Sequence, residues 1–190
     1  MERVGALEAV ADYEGDFGIL HIDAHSDTRL AYEGFEFSHA SILRNVMDRI
    51  PRAKKLVQVG IRDFCEQEYD YTRANSGRID VHFDLHLARR KAEGESWSKI
   101  AADIVAPLPQ DVYISFDIDG LDPRYCPNTG TPVPGGLDFS EPAISRPELP
   151  PARGRLIAVA GPGGSGATEV AIGLADAIVD LVSTGSTLKA

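Results

Sequence analysis

Three groups able to bind a metal alternate in the stretch HIDAHSD (21–27): Asp23, His25 and Asp27, directly behind the apolar segment FGIL (17–20). Burying such groups at the end of a strand is costly unless something binds them. A second acidic pair, Asp117 and Asp119, ends the apolar run in VYISFDIDGLDP (112–123), and its two-residue spacing sends both carboxylates to one side of an extended chain. Four carboxylates gathered in one crevice would repel one another and take up protons unless cations neutralised them. One divalent ion leaves the group over-charged and two balance it. Oxygen-rich donors with one imidazole suit Mn²⁺, Mg²⁺ or Fe²⁺. Ions sharing carboxylates would sit roughly 3.5 Å apart, where a bridging water becomes a hydroxide nucleophile near neutral pH. Single aspartates often cap turns at strand ends, which explains one Asp-x-Asp but poorly explains two, one of them Asp-x-His-x-Asp.

The elements that must position these residues alternate between short β-rich runs and helical patterns, the signature of βαβ units around a mostly parallel sheet. Strands are expected at 17–22, 55–61, 79–83, 111–118 and 155–161. Helices are expected over 39–50, where Ile42, Leu43, Val46 and Ile50 recur at helical spacing, over 97–105, and over the more apolar 169–182. Ligands of open α/β sheets bind beyond the carboxyl ends of the strands, where both acidic clusters would lie. The Pro- and Gly-rich region from about 120 to 153 reads as a long loop with little regular structure, of a length that is usually functional or disordered.

With 190 residues, 43% of them hydrophobic and 25% charged, the chain suits one soluble domain with a sizeable core. A formal net charge of −10 argues against nucleic acid or an anionic membrane surface and accords with a cationic small molecule. Cys65 and Cys126 form no disulfide framework or zinc motif, and no leader or membrane-spanning run is visible, so a cytoplasmic location is expected.

HIDAHSDTR (21–29), SHASILRN (38–45), VQVGIR (57–62) and SFDIDGLDPRYCPNTGTPVPGGL (115–137) together closely resemble the ureohydrolase family, which includes arginase, agmatinase, formiminoglutamase and guanidinobutyrase. The resemblance covers about residues 15–140. It implies a three-layer α/β/α fold with a parallel sheet, a binuclear manganese centre, and assembly as a homo-oligomer. It also implies that Asp23, His25, Asp27, Asp117 and Asp119 are the metal ligands, with Asp23 and Asp117 bridging, and that His39 is catalytic. The reaction would be attack of a metal-bridging hydroxide on a guanidinium carbon, giving urea and an amine, with Asp27 carrying a proton to the leaving nitrogen and His39 shuttling protons with solvent. His21 reads as a packed, hydrogen-bonded strand residue. His82 and His86 read as surface or supporting groups, and Thr129, Thr131, Gly135 and Gly136 as loop residues that shape the site.

Arginases commonly carry asparagine two places after the third ligand, where this chain has Arg29, and TRLAYEGFEFSHAS (28–41) looks closer to agmatinase-like members. A small cationic guanidino substrate resembling agmatine is therefore expected, although Arg29 could also receive a carboxylate. The family's further metal-binding histidine, from an upstream glycine-rich segment, is not among the 22 residues before Asp23, so one ion would keep only Asp23, Asp27 and Asp117. The fold is accordingly expected to be truncated at its start and atypical at its end, with residues 1–140 as the metal-binding core and 141–190 as a divergent tail completing the same domain. GPGGSGAT (161–168) looks like a phosphate-binding loop with Ala167 in place of lysine, and the segment from about 165 to 190 resembles part of an ATP phosphoribosyltransferase. The alternative to an agmatinase-like hydrolase is a non-catalytic remnant or chimera of the same family that still binds divalent metal.

Overall fold

The computed structural model describes residues 15–142, together with the backbone of 156–160 and 177–178. Strand β1 (Phe17–Ile22) lies inside a parallel sheet with β2 (Ala53–Ile61) and β3 (Ile79–Phe83) on one side and β4 (Val112–Phe116), β5 (Leu156–Ala160) and β6 (Ala177–Ile178) on the other. The order is β3-β2-β1-β4-β5-β6. Helices α1 (Ile42–Arg49), α2 (Glu66–Ala74), α3 (Asp84–Ala92) and α4 (Trp97–Val105) make the connections.

Two-residue alternation along the strands divides the core into two layers. On one face Phe17, Ile19, Leu56 and Tyr113 pack with Ile42, Leu43, Val46 and Met47 of α1. On the other, Leu20, Ile22, Val57, Val59 and Ile114 pack with Leu87 of α3 and Ile100, Ile104 and Val105 of α4. The expected α/β/α sandwich is therefore present, and each fully buried aliphatic side chain contributes about 1.5–3 kcal/mol to it.

Several boundaries differ from expectation, each with a local cause. The helix expected over 39–50 opens as a 3-10 turn, His39–Ser41, and stops at Arg49, because Ile50 precedes Pro51 and is driven into extended geometry. The strand expected over 111–118 ends at Phe116, where the Asp117 side chain accepts a hydrogen bond from the Asp119 amide and starts the 3-10 turn Ile118–Gly120. Within the helix expected over 169–182, Ala177 and Ile178 form a strand instead, since an apolar run of this kind fits either state. The rest of that segment, and the phosphate-loop-like 161–168, lie outside the described residues. Helices α2 and α3 carry no apolar stripe to read: α2 buries only Glu68 and Thr72, and α3 only Leu87. Among the described residues no helix is long and apolar enough to cross a membrane.

Candidate metal centre

The turn after β1 is held from every side. The Asp23 amide donates to the Val59 carbonyl, the amides of Arg62 and Asp63 both donate to the Ala24 carbonyl, and the Asp117 amide donates to the Ile22 carbonyl. The ends of β1, β2 and β4 are thereby laced together. Asp27 adopts the left-handed region at φ 54°, which a short polar side chain tolerates, and its carbonyl accepts from the Leu43 amide at the start of α1. Gly120 lies so close to this turn that a Cβ there would stand 3.0 Å from the Asp23 nitrogen.

At this junction Asp23, His25 and Asp119 offer ligand atoms that all lie within 4.8 Å of one another, and His21, Asp23 and Asp27 form a second, overlapping group of the same kind. Asp23 and Asp119 are 2% and 3% exposed, yet two carboxylates so close are tolerable only with positive charge between them. His25 supplies part of it, with Nδ1 3.3 Å from Asp23 Oδ1 and 3.2 Å from Asp119 Oδ2. Its hydrogen bonds to Asp119 and then Asp23 outweigh burial and push its pKa up to about 10. Burial would raise the Asp23 carboxyl. Hydrogen bonds from His21 and from the side chain and backbone N–H of His25 instead hold it well below the usual range. The donor set, carboxylate oxygens with one imidazole nitrogen, fits a divalent cation of the harder kind.

Asp117 sits half-buried beside this group, its Oδ1 accepting from the Asp119 amide at 3.3 Å. His39, exposed, opens the 3-10 turn that leads into α1, its ring centroid 5.4 Å from that of Tyr32 in an edge-on contact. His21 is 1% exposed and hydrogen-bonded to Asp23, while His82 is half-buried on β3 and His86 is exposed on α3. Thr131 reaches in from the long loop, its hydroxyl donating to Asp119 Oδ2 at 2.9 Å.

Four supporting residues were not singled out by sequence reasoning. Arg62 spreads its guanidinium over the carbonyls of Asp119 (2.6 Å), Leu121 (3.1 Å) and Val133 (2.9 Å), so one side chain directly after β2 fixes the turn after β4 and the loop beyond it. Glu68, 3% exposed, accepts from the amides of Thr28 and Cys65 and pairs with Arg29, tying the turn after β1 to α2. Asp63 stands 3.7 Å from His25 Nε2. Gln58, fully buried, sits beside His21 in the neighbouring strand. The available signal was a polar residue inside an apolar strand (Gln58, in VQVGI) and a lone arginine at a strand end (Arg62).

Comparison with known proteins accords with this geometry. The profile described as the Arginase family matches residues 3–145, and a profile described as ATP phosphoribosyltransferase matches residues 156–190. The chain is 35% identical over 139 residues to proclavaminate amidinohydrolase of Streptomyces clavuligerus, covering 70% of this chain and 42% of that protein. It is 36% identical over 139 residues to a mitochondrial agmatinase of Gallus gallus, covering 69% of this chain and 38% of that protein. A solved arginase from Medicago truncatula superposes with a TM-score of 0.66 at 28% identity, covering 82% of this chain and 47% of that one. The chain thus spans about two fifths of the length of the curated relatives it matches. Over residues 3–145, with its parallel sheet and its carboxylate–histidine cluster at the strand ends, the chain belongs to the arginase family.

Proposed function

We propose that this chain carries the metal-binding part of a manganese-dependent amidinohydrolase that cleaves a small cationic guanidino compound, agmatine-like, into urea and an amine. The observation that carries the reading is the meeting of Asp23, His25 and Asp119, drawn from the ends of two different strands, within 4.8 Å in a chain of this family. Asp23, His25 and Asp119 would hold one cation together with Asp117; Asp23, Asp27 and Asp117 would contribute to a second. Such cations, when bound, neutralise the carboxylates and make a water molecule nucleophilic near neutral pH.

The chain's own groups do the remaining work. The acidic crevice attracts a guanidinium. Water adds to its central carbon, one C–N bond breaks, and the departing amine takes a proton, for which Asp27 is the carrier. His39, exposed at the start of the turn into α1, would exchange protons with solvent. Arg29 is engaged by Glu68 at 3.6 Å and lies over Tyr32, which favours a substrate without a carboxylate for it to grip. Two free thiols, Cys65 and Cys126, accord with a reducing cytoplasmic setting.

The test is to load the protein with Mn²⁺, count ions by elemental analysis, and assay urea release from agmatine and a panel of other guanidino compounds. Bound manganese that is lost in Asp23→Ala together with Asp119→Ala, and urea from agmatine, are expected. Absence of manganese would refute the metal centre, and bound manganese without urea from any compound would refute the hydrolytic activity.

A further inference from the structure

His21 and Gln58 are register partners on adjacent strands, and both are buried, at 1% and 0% exposed. Gln58 Nε2 lies 3.1 Å from His21 Nδ1 and also donates to the Ser26 carbonyl at 2.7 Å. That carbonyl can only accept, so the Gln58 amide cannot be turned over without setting two oxygens against each other. The Ser26 hydroxyl, 3.5 Å from Gln58 Oε1, fits the same orientation. Gln58 therefore presents an N–H to His21 Nδ1, which must carry a lone pair. The ring hydrogen then sits on Nε2, 2.9 Å from Asp23 Oδ2.

We infer that Gln58 fixes His21 in the tautomer bearing hydrogen on Nε2, and that this N–H orients the Asp23 carboxylate for a cation, making His21 a positioning residue and not a ligand. The distances alone admit the opposite, because His21, Asp23 and Asp27 are close enough to surround an ion. Ligation through Nε2 would move the ring hydrogen to Nδ1, against the Gln58 N–H, between two side chains that are both buried. The hydrogen-bond pattern thus decides what proximity leaves open. A partner donating to one oxygen of a liganding carboxylate restricts its rotation and keeps the other oxygen, here Asp23 Oδ1, turned toward His25. The inference rests on reading Asp23 as a metal ligand.

The experiment is long-range ¹H–¹⁵N correlation on the full chain near neutral pH, ion-free and with ¹¹³Cd²⁺, His21 being assigned by its disappearance in His21→Gln. Expected are a protonated Nε2 and a bare Nδ1 on His21 in both states, with cadmium coupling at His25 and none at His21. Hydrogen on Nδ1, or cadmium coupling at His21, would overturn the inference. Lack of coupling at His25 would count against the metal reading instead, while the ion-free spectrum still decides the tautomer. His21→Leu should weaken cadmium binding by about tenfold or more, the usual effect of losing such a support. His21→Gln, which retains an N–H toward Asp23, should stay close to the parent. Equal losses in both variants, or none in His21→Leu, would also overturn it.

Discussion

If Asp23, His25 and Asp119 hold a cation as proposed, binding requires His25 to give up a proton that its neighbours hold firmly, and the pH dependence of binding measures that hold. His25 Nδ1 faces both Asp119 Oδ2 at 3.2 Å and Asp23 Oδ1 at 3.3 Å, and the ring's pKa is pushed up to about 10. At pH 7 only about one ring in a thousand is then unprotonated, so proton competition lowers the apparent affinity by roughly three orders of magnitude. Between pH 7 and pH 8 the affinity for Mn²⁺ should rise about tenfold, whereas an ordinary histidine titrating near 6.5 gives a rise of only about a quarter. Isothermal calorimetry in buffers of different ionisation enthalpy reads the same quantity directly. Near pH 7.5 close to one proton should leave per ion bound, against roughly a tenth for an ordinary ring. His25→Ala should abolish the release. A flat affinity between pH 7 and pH 8, or release near a tenth of a proton, would refute the picture of an imidazolium clasped between two carboxylates.

The same groups set the pH dependence of stability in the ion-free protein. His25 has its pKa raised in the folded chain, so its contribution is complete below about 6.5 and disappears as pH climbs through about 10; thermal unfolding should show a falling midpoint over that range, removed in His25→Ala. Asp23 is shifted downward, so its contribution is present above the ordinary carboxylate range and is lost on acidification; a midpoint unchanged in acid would contradict this. Arg62→Lys removes the planar fork that serves the carbonyls of Asp119, Leu121 and Val133, and urea denaturation should register a loss of about 2–4 kcal/mol, since each abandoned buried acceptor costs about 1–3 kcal/mol. Gly136→Ala places a Cβ 2.7 Å from the Leu121 carbonyl at φ +107°, and should cost at least about 1–3 kcal/mol while loosening the loop that carries Thr131. Ile104→Ala, in the fully buried stripe of α4, should cost about 2–5 kcal/mol in the same assay.

The strands around the centre were readable because each is an apolar run bounded by turn residues, and β1 and β3 fall on the expected limits. The acidic clusters were readable because turn capping accounts for one carboxylate after such a run but poorly for two groups of them, one with a histidine between its aspartates. What escaped was the material that binds through backbone atoms. Arg62 fixes the site by gathering carbonyls, and a carbonyl has no residue type to recognise in a sequence. Glu68 and Thr72 escaped for a related reason: α2 turns polar side chains inward, Glu68 to the Thr28 amide and Thr72 to the Tyr69 carbonyl of its own helix, which reverses the apolar-inward pattern that reveals a helix. Asp27 was named as a candidate ligand, but its left-handed backbone, which wraps the loop toward α1, is invisible in its identity.

The hydrogen bond from the Ala24 amide to Asp119 Oδ1 joins positions 95 residues apart. Closing so long a segment is entropically uphill until β4 has docked beside β1. During synthesis, the first half of the cage therefore leaves the ribosome long before its counterpart exists, and a partial chain has no complete set of donors to capture an ion. Metal acquisition should follow sheet assembly, which makes cation uptake a late reporter of correct folding.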